Sequence, residues 1–376
     1  MSDVESKKAC LGCDYDRNIV YIEGIMDNVL SRLTVKDVLK CKSVSKLWYS
    51  LINGPQFTKL HFSRSLEKNL KFVVCLYDDD DSQIYLIEPN GSSTQLVLSS
   101  IDHNYDFKMI SSFNGLIIGT DLKSDKKLDI LIINPAIREF QVLPDGSPSE
   151  LTPSVGVVFD PENYRYKILR FYSDTLEPED GNYKCEVYVP DTQAWRRVSN
   201  SIQCPKSRNG FPLCPSHVCV GGRMYWLVWG PDGPVCVVSV DMEENFTRIK
   251  LPEYIIPGGT FDSFTFLAGW EDRLILIAID DTGDILVIWS LQVHDKSIWF
   301  FEGTIDLKLE GINTMSSIIT IKNGILLVIK PFCYDIFDYY MINLSSMTWK
   351  KLWLHYKFRT PRAVALPFVE SLFSVI

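Results

Sequence analysis

The sequence predicts a multidomain chain of two classes: a small all-α unit of three helices, then an all-β propeller with six blades. Three observations carry this. Apolar residues recur at helical period between residues 25 and 52. Beyond about residue 70 they alternate or form short runs bounded by Gly, Pro, Asn and Asp. Within that second part, aromatic-led strands recur at Phe140, Trp195, Phe246, Trp299 and Trp349, with spacings of 55, 51, 53 and 50 residues. A period of about 50 is that of a four-stranded blade, and the length beyond residue 65 holds six such periods.

The elements follow in order. Residues 1–20 are polar and read as a flexible tail without the apolar core of a secretory signal. That places the chain in the cytoplasm or nucleus, with its Cys reduced. The helical unit is expected over 21–62. Ile25, Val29 and Leu33 recur every four residues with Met26 and Leu30 beside them, which makes the first helix. Thr34, with Asp37 three residues on, resembles a capping box that restarts the chain. Val35, Val38 and Leu39 form the second stripe; Val44, Leu47, Trp48, Leu51 and Ile52 form the third, closed by Asn53-Gly54-Pro55. The propeller is expected over 63–376. Its second repeat shows the pattern: strands over 109–113, 116–119, 129–133 and 140–143, with Asn114-Gly115 as the first turn. The first repeat supplies only three strands, so a strand from the spare apolar sequence at 363–366 or 371–376 is expected to close the ring as its innermost member.

Composition excludes several functions. A formal charge of −9 argues against a protein that binds nucleic acid by neutralising phosphate. No apolar run reaches the roughly 18 to 20 residues a membrane helix needs. There is no G-x-S-x-G elbow, no Walker loop and no G-x-G-x-x-G. The five His are scattered without a pair at i+2 or i+4, so no catalytic residue, metal or cofactor is expected. Cys10 with Cys13 has half the spacing of a zinc site but no second pair nearby. Cys204, Cys214, His217 and Cys219 lead into an inner blade strand and read as packing. The run Asp78, Asp79, Asp80, Asp81 reads as a solvated hairpin loop, because the spacing of a calcium loop is missing.

Two stretches carry a resemblance. The run Met26-Asp-Asn-Val-Leu-Ser-Arg-Leu-Thr-Val-Lys-Asp-Val-Leu-Lys-Cys-Lys-Ser-Val-Ser-Lys-Leu-Trp48, with Leu51-Ile-Asn-Gly-Pro-Gln-Phe57 and His61, resembles an F-box, particularly that of plant F-box proteins. It departs where the family usually places Leu-Pro, since Tyr21-Ile22 and Leu33-Thr34 stand there. Further on, Phe113-Asn-Gly-Leu, Ile133-Asn-Pro-Ala-Ile-Arg138, Val158-Phe-Asp-Pro161 and Val220-Gly-Gly-Arg-Met-Tyr-Trp226 resemble the kelch-like F-box-associated domain. The order of the two modules makes the match specific.

The resemblance implies the substrate receptor of an SCF-type ubiquitin ligase. The F-box would dock on a Skp adaptor, and through it on a cullin scaffold, while the propeller grips a target protein; the chain itself would do no bond chemistry. A non-ligase kelch scaffold with a degenerate F-box is the alternative, motivated by the missing prolines. Adaptor contact, or the shaping of it, is expected from Ile25, Val29, Leu30, Leu33, Leu39 and Trp48. Residues 1–65 carry ten bases and seven acids, so this unit is locally basic and suits an acidic partner. In a blade of four up-and-down strands, the hairpins between second and third strands all emerge on one face. Those hairpins hold sixteen acids against three bases, Lys123, Lys126 and Lys127. A target with a basic segment is therefore expected there, steered by Asp174, Glu177, Glu179, Asp180, Asp280 and Asp281 and anchored by Trp229, Phe332 and Tyr334.

Overall fold

The computed structural model describes residues 24–375 apart from 69–70, 78–81, 89–91, 97–106, 125–126, 177–181, 204–216, 231–232, 253–263, 271–272, 280–284, 293–297, 307–316, 323–324, 334–335, 344–347 and 353–361. Four helices come first: α1 over 24–30, α2 (Val35–Cys41), α3 (Lys46–Ile52) and α4 (Pro55–Lys68). Three helices were expected, and α4 is the correction. Asn53-Gly54-Pro55 reads as a stop, yet the fixed φ of proline also suits the first position of a helix, and Pro55 starts one.

Local chemistry sets the helix boundaries. Thr34 Oγ1 accepts from Asp37 N (3.2 Å) and donates to Asp37 Oδ2 (2.8 Å), so the expected cap of α2 forms. Ser45 Oγ accepts from Trp48 N (3.1 Å) and starts α3. The stripe residues Leu30, Val35, Val38 and Ile52 are buried with Phe57 of α4. His61, fully buried, donates from Nε2 to Leu33 O (2.9 Å) and ties the α1–α2 turn to α4. Arg64 of α4 clamps α1 through Asn28 O (2.9 Å), Asn28 Oδ1 (2.8 Å) and the Ser31 hydroxyl.

The strands pair into six four-stranded antiparallel sheets. In the second, β4 (Phe107–Phe113), β5 (Leu116–Ser124), β6 (Lys127–Asn134) and β7 (Glu139–Val142) follow one another. Asn114 and Gly115 both have positive φ (49° and 73°), as the two-residue hairpin turn requires. Sheets three to six repeat this order, from β8 (Ser154–Asp160) through β9 (Arg165–Tyr172) and β10 (Asn182–Val189) to β11 (Ala194–Gln203), from β12 (His217–Val220) to β15 (Phe246–Lys250), from β16 (Phe264–Trp270) to β19 (Ile298–Asp306), and from β20 (Ser317–Lys322) to β23 (Thr348–Leu352). The first sheet holds β1 (Lys71–Tyr77), β2 (Ser82–Ile87) and β3 (Ser93–Leu96), and its missing strand is β24 (Arg362–Phe368), paired with β1 from Lys71↔Phe368 to Tyr77↔Arg362. The leading strands β24, β4, β8, β12, β16 and β20 each contact the next, and β20 contacts β24 again, so the ring closes at its centre. The recurring aromatics all lie on the outermost strand of their sheet: Phe140 in β7, Trp195 in β11 (Ala194–Gln203), Phe246 in β15 (Phe246–Lys250), Trp299 in β19 (Ile298–Asp306) and Trp349 in β23 (Thr348–Leu352).

The period has a physical cause at two of these positions. Trp195 Nε1 donates to Pro144 O (2.7 Å) and Trp299 Nε1 to Lys250 O (2.8 Å), each reaching the sheet before its own. Nearer the axis, side chains do the same work. Val157 N of β8 (Ser154–Asp160) donates to His217 Nε2 (3.2 Å), and Phe159 N donates to Cys219 Sγ (3.3 Å), both on β12 (His217–Val220). The open edge of an inner strand is thereby satisfied by its neighbour sheet. Buried apolar layers fill the space between sheets, for example Phe171, Trp226 and Val238 between the third and fourth.

Candidate functional site

Two surfaces offer chemistry, and the chain places them at opposite ends of the strands. Successive strands reverse, so the first-to-second and third-to-fourth turns leave one face of the ring, and the second-to-third hairpins leave the other. The helices sit on the first face. Ala136 and Ile137, in the β6–β7 turn, pack against the helical core. Tyr164, in the β8–β9 turn, meets Phe62 of α4 edge-on (ring centroids 6.2 Å apart), and Lys59 Nζ lies 5.3 Å from the Tyr164 ring centroid.

On the helical unit the expected residues divide. Ile25 and Val29 on α1 are exposed (47% and 56%). Leu30 is buried in the helical core, so its side chain is closed to a partner. Leu33, Leu39 and Trp48 are half-buried and packed on the same core. Sequence reasoning assigned Val44 and Leu47 to the buried third stripe and passed over Tyr49; all three are exposed, at 62%, 40% and 58%. The stripe misleads because α3 begins only at Lys46, which leaves Val44 in the turn before it, while Leu51 and Ile52 face the core. Lys36 and Lys46 stand exposed in the same stretch. Lys40 is held by Asp37 (2.9 Å), and that bond holds the Asp37 carboxyl below the usual carboxylate range.

On the far face, Asp174 is the one candidate whose side chain is described. It is exposed and paired with Lys184, whose hydrogen bond holds its carboxyl below the ordinary value. Sequence counting stopped the hairpin one residue short of Lys184 and so missed this compensation. Asp121, another acid in that count, is buried at 2% exposure in β5. Trp229 lies within β13 (Arg223–Gly230) and Phe332 within β21 (Ile325–Cys333), on strands where loops were expected. Glu177, Glu179, Asp180, Asp280, Asp281 and Tyr334 lie outside the described residues, as do Cys10, Cys13, Cys204, Cys214 and the run from Asp78 to Asp81.

Elsewhere a buried ion pair ties two strands together. Arg170 of β9 (Arg165–Tyr172) and Glu186 of β10 (Asn182–Val189) face each other across the ladder, 2.5 Å apart and almost fully buried. Glu186 also accepts from Ser147 N (3.0 Å) and Ser147 Oγ (2.7 Å). No group of three or more His, Cys, Asp or Glu among the described residues is arranged to hold a metal. No described helix is long and apolar enough to cross a membrane.

Comparison with known proteins agrees with this architecture. Residues 65–362 match the model of the F-box associated beta propeller domain. The chain belongs to that family. Residues 23–60 match the F-box domain. Among relatives in Arabidopsis thaliana, F-box protein At5g49610 is 24% identical over 311 residues, 78% of this chain and 81% of that one. F-box protein At4g19940 is 24% identical over 365 residues, covering 86% and 83%. Among solved structures, TolB from Acinetobacter baumannii is similar at a TM-score of 0.48 and 8% identity, over 86% of this chain and 73% of that one. This family member thus pairs an F-box with a propeller, the build of a substrate receptor.

Proposed function

We propose that this F-box propeller protein is the substrate-recognition subunit of an SCF-type ubiquitin ligase in the cytoplasm or nucleus, docking through its helices on a Skp adaptor and so on a cullin scaffold. The observation that carries the reading is the exposed apolar set Ile25, Val29, Val44, Leu47 and Tyr49 on an F-box mounted on one face of a closed ring. Isolated apolar side chains on a surface are ordinary; five within some 25 residues of a locally basic helical unit suit an apolar partner with an acidic surround. The missing prolines do not leave the α1–α2 turn without support, since Thr34 caps α2 and His61 holds Leu33 O.

The protein would contribute proximity and no bond chemistry. Holding a target lysine beside a charged ubiquitin carrier turns an encounter between two molecules into an internal step. The target surface is proposed on the face opposite the helices, where the acidic hairpins Asp174, Glu177, Glu179, Asp180, Asp280 and Asp281 would receive a segment rich in Lys or Arg. Trp229, Phe332 and Tyr334 remain the proposed anchors. Co-expression with a plant Skp adaptor followed by gel filtration tests the docking. The wild type is expected to co-elute, and Val44→Asp/Leu47→Asp to elute alone with an unchanged circular dichroism spectrum. A wild type that elutes alone while folded would leave the scaffold reading in its place.

A further inference from the structure

The segment that follows β24 lies against both the ring and the helices. After Phe368 the chain leaves the face that carries the helices, and residues 369–375 run between the two units. Ser371 is fully buried. Asn134, at the end of β6 and also fully buried, spends its amide on this segment: Nδ2 donates to Ser371 O (3.2 Å), Ser371 Oγ (3.3 Å) and Phe373 O (2.7 Å), while Oδ1 accepts from Ala136 N (3.0 Å). Gly115 has no room for a side chain, because a Cβ there would lie 2.5 Å from Ser371 Oγ and 2.6 Å from Val369 O. The turn therefore needs glycine twice over, for its φ and for the passage of this segment.

Successive residues then serve different units. Leu372 is buried in the helical core with Leu30, Val38, Ile52 and Phe57. Phe373 packs edge-on against Phe62 of α4 (5.4 Å between centroids) and tilted against Tyr164 of the propeller (5.3 Å). Val375 is buried among blade residues such as Leu116, Val155 and Ile168. Glu139 Oε2 accepts from Ser374 Oγ (2.7 Å) and Val375 N (3.2 Å), which fixes the far end. The family match, moreover, ends at residue 362, short of this segment.

We propose that residues 369–375 form an interdomain strap, which holds the helical unit on the propeller in one orientation and so sets the separation of the two faces. This does not rest on what either face binds. Without the strap, the contacts between the units among the described residues reduce to those at the Ala136, Ile137 and Tyr164 turns, beside the covalent connection from α4 to β1.

The test uses the full chain with Leu372→Asp/Phe373→Ala, which spares every residue of β24. Nitroxide labels coupled to p-acetylphenylalanine introduced at Lys36 of α2 and at Leu176 of the β9–β10 hairpin, which leave the ten native Cys unlabelled, report the distance between the faces. In the wild type a single narrow distribution is expected. In the variant it should broaden at least twofold, amide exchange in α1–α4 should rise about tenfold, and the thermal midpoint of the propeller should hold. An unchanged distribution would overturn the proposal. So would a lowered propeller midpoint with an unchanged distribution, since the segment would then belong to ring closure. Should the double variant not fold, Phe373→Ala alone decides by the same distances.

Discussion

His217 makes the stability of the ring depend on pH in a window that few other groups share. Its imidazole is 6% exposed, and burial pushes its pKa from 6.5 down to about 4. Nε2 accepts from Val157 N, so the proton of the neutral ring sits on Nδ1, where no partner exists among the described atoms. Between these two pKa values the unfolded chain binds a proton that the folded chain refuses, and stability therefore falls as pH is lowered from about 6.5 towards 4. A gap of about two and a half pH units at about 1.4 kcal/mol per unit makes the loss about 3.5 kcal/mol. His61 acts in the same direction, since burial outweighs its bond to Leu33 O. The carboxylates with depressed values, Asp37, Asp160, Asp174 and Glu244, keep their contribution until the pH drops below their ordinary range. Denaturant unfolding followed by Trp fluorescence at pH 5 to 7.5 checks this, with His217→Gln as the comparison, because Gln keeps an acceptor for Val157 N and cannot titrate. Between pH 6 and 5 the variant should lose about 1.2 kcal/mol less stability than the wild type. Parallel curves for the two proteins would refute the argument.

Three further outcomes are expected. Glu186→Ala should lower stability by about 3 to 5 kcal/mol, because it leaves Arg170 buried without its carboxylate, whereas Arg170→Met/Glu186→Leu should regain most of that by removing both charges; thermal melts of the three proteins check it. Deleting residues 362–376 should abolish soluble expression, since β1 and β20 would each lose the inner strand they contact; a truncated chain with the wild-type melting curve would contradict it. Neutralising Asp174, Glu177, Glu179 and Asp180 together should slow target association and flatten its salt dependence, as read by surface plasmon resonance at several ionic strengths. The share of Asp174 should be small, because Lys184 already offsets it.

Much of the architecture was legible because local chemistry and repetition point the same way. The stripe through Leu30, Val35, Val38 and Ile52 is the helical core, and Thr34 caps where its spacing from Asp37 suggested. The aromatic period marked the outer strands, and the first repeat's three strands implied a closing strand, which β24 supplies. What escaped the reading depends on where distant segments meet. Gly54-Pro55 signals a helix end and a helix start with the same two residues. The apolar residues at 371–376 looked like material for a strand, and nothing local says that Leu372 joins a core formed more than 300 residues earlier. The exposure of Val44, Leu47 and Tyr49 follows from which side of a short helix the others cover, a matter of packing. Arg170 and Glu186 were findable, since opposite charges fall opposite each other once the β9–β10 register is drawn.

The closure of the ring by β24 also has a consequence in time. Val74 pairs with Ala365, 291 residues later, so at about 5 to 20 residues per second a ribosome needs roughly 15 to 60 seconds to supply the partner. For that interval β1, Lys-Phe-Val-Val-Cys-Leu-Tyr, has β2 on one side and a bare apolar edge on the other. A strand in that state is open to pairing with a neighbouring nascent chain. Chaperone demand during synthesis should therefore follow the speed of translation between the first blade and the last strand, and the helices, made first, would be the last part of the molecule to be fixed in place.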